Sequence, residues 1–214
     1  MSSNAPRSVK ISDQERGGWS SERPRKPGEA ERPPRPPDVG VRGRVLAPSD
    51  RMRYSPGSLL LIACADPDAR SRFVARTVED HTTLLSMEKV RGLLAGKVAP
   101  DAVEQQGQAL LDAAVGKRLA AGQSVVVTLD GLSAEERARY VRMAFANRRP
   151  RHLILVEVRK DAVAEEDVAP LTALRTALDA GELGEEGFAT SLRLGGASVA
   201  ELKRIVFRPP PADD

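Results

Sequence analysis

An apolar run, Leu59-Leu60-Leu61-Ile62-Ala63, passes directly into Cys64-Ala65-Asp66-Pro67-Asp68-Ala69-Arg70-Ser71-Arg72. This is the position and length of a phosphate-binding loop between a strand and a helix, whose pattern is Gly, four residues, Gly, Lys, then Ser or Thr. Here it reads Cys, four residues, Ala, Arg, Ser, so a basic residue and a hydroxyl are kept while both glycines are replaced. The guanidinium of Arg70 would supply positive charge as a broad planar fork rather than a compact ammonium. The Ser71 hydroxyl could ligate a metal ion that bridges phosphates. The Cβ atoms of Cys64 and Ala69 disfavour the backbone that turns successive amides toward a phosphate. Asp66 and Asp68 put carboxylates where a polyphosphate would lie, each pairing unfavourable by roughly 3 kcal/mol at about 5 Å and an effective dielectric of about 20. A bridging magnesium ion would reverse that sign. The local alternative is structural: Asp68 caps a helix that begins at Ala69, and Asp66-Pro67 makes a turn.

Other chemistry-bearing residues follow later in the chain. Glu88 and Arg91 stand in Leu85-Ser86-Met87-Glu88-Lys89-Val90-Arg91, and Asp130 in Thr128-Leu129-Asp130-Gly131, with Arg137 beyond it. Glu88 also reads as an ordinary acid favoured in the first turn of a helix, and Asp130-Gly131 as a turn. His81 and His152 have no Ser, Cys or acid at a telling spacing and read as structural; Cys64 reads as a small buried residue.

The elements that must position these residues are visible as short apolar runs alternating with longer amphipathic segments. Strands are expected at 58–64, 82–85, 124–129, 152–158 and 190–194, and helices near 69–79, 87–95, 102–121, 134–147, 168–180 and 199–206. Asp101 with Glu104, Ser133 with Glu136 and Ser198 with Glu201 have the spacing of reciprocal helix caps. Strands alternating with long helices need crossover connections, so the sheet should be mostly parallel and covered on both faces. Ligands of such sheets bind at the carboxyl ends of the strands.

From about Arg53 to Arg208 the chain resembles the kinase module of bacterial polynucleotide kinase-phosphatases and, more broadly, small P-loop kinases that phosphorylate a polynucleotide 5′ end. Besides the loop at 64–71, the resemblance rests on four stretches, one of them Lys117–Val127, which matches the family's long helix ending in a small-residue turn before the next strand. Leu85–Arg91 stands where the family has Ser-Ser-Asp and an Arg, Thr128–Gly131 with Arg137 where it has Asp-Ala-Thr-Asn and an Arg, and Glu185-Glu186-Gly187-Phe188 where it has Glu-Gly-Phe. It implies an α/β, P-loop NTPase-like three-layer sandwich with about five mostly parallel strands and helices on both faces. It further implies ATP and Mg²⁺ as cofactors. Asp68, Ala69, Arg70, Ser71 and Arg72 would meet the nucleotide, Ser71 and Asp130 the metal, and Glu88, Arg91 and Arg137 the transferred group and its acceptor. The departures fall on the chemistry. Thr128 replaces the family's third-strand Asp, and the arginine-rich lid becomes Arg159-Lys160-Asp161 followed by acidic Glu165-Glu166-Asp167. Catalytic groups act as a unit, so the expected function is a degenerate kinase-like module, weak or inactive in phosphoryl transfer. It would be retained for nucleotide, nucleic-acid-end or protein binding; an active polynucleotide 5′-hydroxyl kinase is the alternative.

Composition bounds the rest. Of 214 residues, 33 are basic and 30 acidic; residues 1–50 hold 10 and 7 of these, which leaves 23 of each beyond. The net charge of +3 therefore belongs to the first fifty residues, which also carry 8 of the 16 prolines and only one aromatic, Trp19. Such a segment reads as a disordered Pro/Arg-rich tail, able to tether a partner or touch nucleic acid, ahead of a domain at 51–208 and a short flexible end at 209–214. One cysteine permits no internal disulfide, and with two histidines there are too few soft ligands for structural zinc. The longest apolar run, Ser58–Ala65, is about a third of what a membrane span needs. A cytoplasmic protein without membrane contact is the expectation.

Overall fold

The computed structural model describes residues 44–209. Its main sheet has six strands: β1 (Arg44–Leu46), β3 (Leu59–Ala63), β4 (Leu84–Ser86), β5 (Val125–Thr128), β6 (Arg151–Val156) and β7 (Thr190–Leu194), in the order β1-β7-β6-β3-β5-β4. Every pairing in it is parallel. A second, two-stranded parallel sheet joins β2 (Arg51–Tyr54) to β8 (Arg204–Phe207). The helices are α1 (Pro67–Thr77), α2 (Met87–Leu94), α3 (Val103–Ala120), α4 (Ala134–Ala146), α5 (Glu165–Asp179) and α6 (Ala197–Glu201).

The continuous apolar runs become central strands because they are buried on both faces. In β3, Leu59, Leu61 and Ala63 join one core with α2, α3, α4 and α5, while Leu60 and Ile62 join the other with α1 and the β2–β8 pair. The result is the three-layer α/β sandwich expected from the sequence, consistent with a P-loop-like arrangement. Close helix packing is visible at Gly107 of α3, where a Cβ would stand 2.6 Å from the Met87 side chain of α2. Among the described residues no helix is long and apolar enough to cross a membrane.

Three expectations are corrected. The segment at 199–206 is not one helix: α6 ends at Glu201, and Arg204–Phe207 is a strand because Arg51–Tyr54 gives its backbone a partner in register. Residues 44–46 belong to the sheet, pairing with Thr190–Leu192, so the folded part begins before residue 51. Asp101 and Ser198 do not cap helices; a 3-10 turn, Pro100–Ala102, leads into α3, and the Ser198 hydroxyl bonds the backbone of Gly195. The remaining tail, residues 1–43, and residues 210–214 lie outside the described residues.

Candidate functional site at the carboxyl ends of the strands

The connection from β3 to α1 consists of Cys64, Ala65 and Asp66 alone. Pro67–Ala69, which would be loop in a phosphate cradle, form the first turn of α1. Asp66, not Asp68, is the cap: its Oδ1 accepts from the amides of Asp68 (2.9 Å) and Ala69 (3.1 Å). Pro67 suits the following position because its missing N–H would have no intrahelical partner there. The early start of the helix therefore follows from the Asp-Pro pair, and the amides at its N-terminus are engaged by a carboxylate of the chain itself.

Arg70 and Asp130 are brought together as their aligned positions suggested, but with each other as partners. Arg70 is 4% exposed. Its Nη1 donates to the Leu129 carbonyl, and its Nη2 lies 3.5 Å from Asp130 Oδ1. The other Asp130 oxygen accepts from Arg91 Nη2 at 2.5 Å, and Arg91 in turn donates to both Glu104 oxygens at 2.7 and 2.9 Å. Arg70, Asp130, Arg91 and Glu104 thus form one alternating chain of charge. The hydrogen bonds that Arg91 donates to Glu104, with the nearby Asp130, raise the Arg91 pKa, and the same bonds lower that of Glu104. Glu104, expected to complete a helix cap, is used in this chain instead.

Glu136 is the residue sequence reasoning missed. Ser133 caps α4 by accepting from the Glu136 amide at 3.1 Å. The Glu136 carboxylate does not return that bond; it accepts from the consecutive amides of Asp130 (2.8 Å) and Gly131 (2.9 Å) just after β5. Burial pushes its pKa up against the opposing effect of those two amides. A pair of adjacent amides is a ready anion site, and here a side chain of the protein takes it. The capping-box spacing was the only sequence signal at Glu136, and it pointed to the wrong amide.

The other expected residues divide. Ser71 Oγ donates to Glu88 Oε2 at 3.2 Å, so the proposed metal-ligand hydroxyl and acceptor-base carboxylate do meet, at the surface. Asp68 and Arg72 are exposed, and Ala69 is partly buried. Thr128, where the family has an acid, is buried at the end of β5. Arg137 stands apart from the group: it is 3% exposed, grips Glu186 through two bonds of 2.8 and 2.7 Å, and donates to the Leu132 carbonyl at 2.7 Å. Arg159 pairs with Asp161 at the surface.

On the other side of β3, a cleft of about 520 Å³ opens between Ala69 and Arg72 of α1, Glu157 and Arg159 after β6, and Gly196 and Val199 around α6. Glu157 is bound by Arg175 and Arg193, each at 2.7 Å. Burial alone would raise its pKa, but the two arginines together hold it below the ordinary value.

These contacts bear on the expected cofactors. A triphosphate needs free amides and cations converging on one place. The α1 amides are taken by Asp66, the post-β5 amides by Glu136, and the Arg70 guanidinium by Leu129 and Asp130. Asp130, set between two guanidiniums, is poorly placed to donate to magnesium as well. As folded, the β3–β5 side does not fit Mg·ATP. No protein-family model matches this chain, and no curated protein matches it significantly.

Proposed function

We propose that this chain is a degenerate P-loop-kinase-like module that has lost or greatly weakened phosphoryl transfer and works as a binding or scaffolding protein. The observation that carries this reading is the occupation of the anion-binding positions at the carboxyl ends of β3 and β5 by Asp66, Glu136 and Asp130. A binding role is supported by the cleft on the β6 side, whose volume falls within the range of small-ligand pockets. A nucleotide or a nucleic-acid end could bind there without transfer, and the proline-rich tail could act as tether for a protein partner.

Titration with Mg·ATP tests the reading. A nucleotide present at about 100 times its dissociation constant would stabilise the fold by about 2.7 kcal/mol; the expected result is a much smaller rise in melting temperature. Transfer of labelled γ-phosphate to a 5′-hydroxyl oligonucleotide, abolished by Arg70→Ala, would overturn it in favour of an active kinase.

A further inference from the structure

The opposite end of the sheet carries a second cleft, of about 510 Å³, where the chain enters β3, β4 and β5. That volume lies in the range of small-ligand pockets. Its walls are tied to one another. The Gly57 amide donates to Ser124 Oγ at 2.9 Å, and Arg118 Nη1 donates to the Thr82 carbonyl. Gly57 and Gly122 both have positive φ (77° and 73°), and a Cβ on Gly57 would stand 2.9 Å from the Gly122 carbonyl oxygen. The two turns can approach this closely only without side chains. Phe207 of β8 also lines the cleft, its half-buried ring backed by Tyr54 at a centroid distance of 6.1 Å.

The polar groups that line this cleft keep hydrogen-bonding capacity that the fold does not use. Asp80 Oδ1 accepts from the Thr82 amide (2.9 Å) and hydroxyl (2.6 Å), while Oδ2 has no partner among the described residues. The two Thr82 bonds hold the Asp80 carboxyl below the ordinary carboxylate range, so at neutral pH it only accepts. Arg118 only donates; it uses one N–H on the Thr82 carbonyl and keeps the others. The exposed Gln123 amide, which can do both, has no partner among the described residues. Ser124 Oγ accepts from Gly57 and leaves its own O–H to donate. With one acid and one arginine, the lining is formally neutral.

We propose that this amino-end cleft binds a neutral polyhydroxylated ring, a mono- or disaccharide, with one ring face against Phe207 and its hydroxyls shared among Asp80, Arg118, Gln123 and Ser124. Each sugar hydroxyl both donates and accepts, which suits a lining that mixes a pure acceptor, a pure donor and groups that do both. The C–H bonds on the face of a sugar ring are slightly positive and match the negative face of an aromatic ring. An anion would be repelled by Asp80 and a cation by Arg118. A small zwitterion would engage those two charges and leave Gln123, Ser124 and the Phe207 ring without partners. Walls already tied by hydrogen bonds lose little freedom on binding. The site is separate from the carboxyl-end group and does not depend on whether that group transfers phosphate.

The test is saturation-transfer difference NMR of the full chain with glucose, galactose, mannose, maltose and cellobiose at millimolar concentration. A sugar of this panel should show transfer, strongest at the protons of one ring face, and its titration gives a dissociation constant. Gln123→Ala removes an exposed side chain and should weaken that sugar about fivefold, the worth of one hydrogen bond. Asp80→Asn keeps an oxygen for the Thr82 amide and should weaken it by at least a similar factor. Thermal melts of both variants report on the fold, and if Asp80→Asn lowers stability, Gln123→Ala carries the test alone. Arg72→Gln, in the other cleft, should leave the affinity unchanged. Glycine, inorganic phosphate and cyclohexanol, a ring of similar size with one hydroxyl, should neither bind nor compete. No transfer from any sugar, an affinity unmoved by Gln123→Ala, a loss that follows Arg72 instead, or equal competition by any of the three controls would each overturn the proposal.

Discussion

The two ends of the sheet use their arginines differently, against carboxylates at one end and against backbone carbonyls at the other. At the carboxyl ends of β3 and β5, short connections put backbone amides and arginines close together, and the chain fills them with Asp66, Glu136 and Asp130. At the amino ends, glycines at 57 and 122 let two turns nearly touch, and the opening there is lined by one arginine, Arg118, and one carboxylate, Asp80. The end at which this architecture ordinarily binds ligands is thus internally neutralised on one side of β3. At the other end the guanidiniums of Arg118, Arg149 and Arg151 donate to backbone carbonyls instead, tying turns and strand starts together. A fold's usual binding end is a prior, and local charge pairing decides whether a given chain still uses it.

The largest expected effect concerns whether matched residues near the carboxyl end serve chemistry or structure. Arg137→Ala should destabilise the protein by about 3 kcal/mol or more, because it strands the Glu186 carboxylate and the Leu132 carbonyl beside a buried void. Arg91→Ala should cost under about 1 kcal/mol, since that pair is well exposed. Chemical denaturation of both variants checks this; equal losses would mean that Arg137 is not the strut its burial implies.

Near the amino end, His152 gives the next largest effect. Burial, with a smaller contribution from the charge on Arg151, lowers its pKa to about 4. Its Nδ1 meets Thr190 Oγ1 at 2.8 Å, and its Nε2 has no partner among the described residues. The unfolded imidazole takes a proton near pH 6.5, whereas the folded one resists until about pH 4. Stability should therefore fall by about 3 kcal/mol in all as pH drops through that window, with little change from this group above it. Thermal melts from pH 7 to 4 should show the slope, and His152→Phe should remove most of it.

Asp130→Asn probes the neutralised site itself. It withdraws the charge shared by Arg70 and Arg91 while keeping the side-chain shape, with an expected loss of about 1–2 kcal/mol. Pyrophosphate should then stabilise the variant more than the parent in melts. If the two respond alike, Asp130 is not what keeps anions out.

The smallest effect has the opposite sign. Arg148→Gly should raise stability by about 0.5–1 kcal/mol by relieving the left-handed backbone after α4. A destabilised variant would show that the arginine makes a compensating contact and would weaken the contrast between the ends.

Much of the fold was legible because its central strands are unbroken apolar runs. Leu59–Ala63, Val125–Thr128 and Arg151–Val156 leave few alternatives once helices separate them. The strands β2 and β8 were not, because Arg51-Met52-Arg53-Tyr54 alternates charge with apolar residues on a short piece beside the tail. Val199, Leu202 and Ile205–Val206 also recur near a helical period. Only their pairing with each other decides the matter, and that is non-local. The candidate site was legible in its positions and not in its partners. Arg70, Asp130 and Arg91 do converge, but whether a guanidinium faces a ligand or a carbonyl depends on where Leu129 and Glu104 end up, and spacing along the chain does not encode this.

The β2–β8 pair has a mechanical consequence. Because the strands are parallel and lie near the two ends of the folded chain, a force applied from both ends would, once β1 had left β7, pull them past each other along their length. Their hydrogen bonds would bear the load together rather than opening one at a time. The small sheet is in that sense a clasp, loaded in shear rather than unzipped.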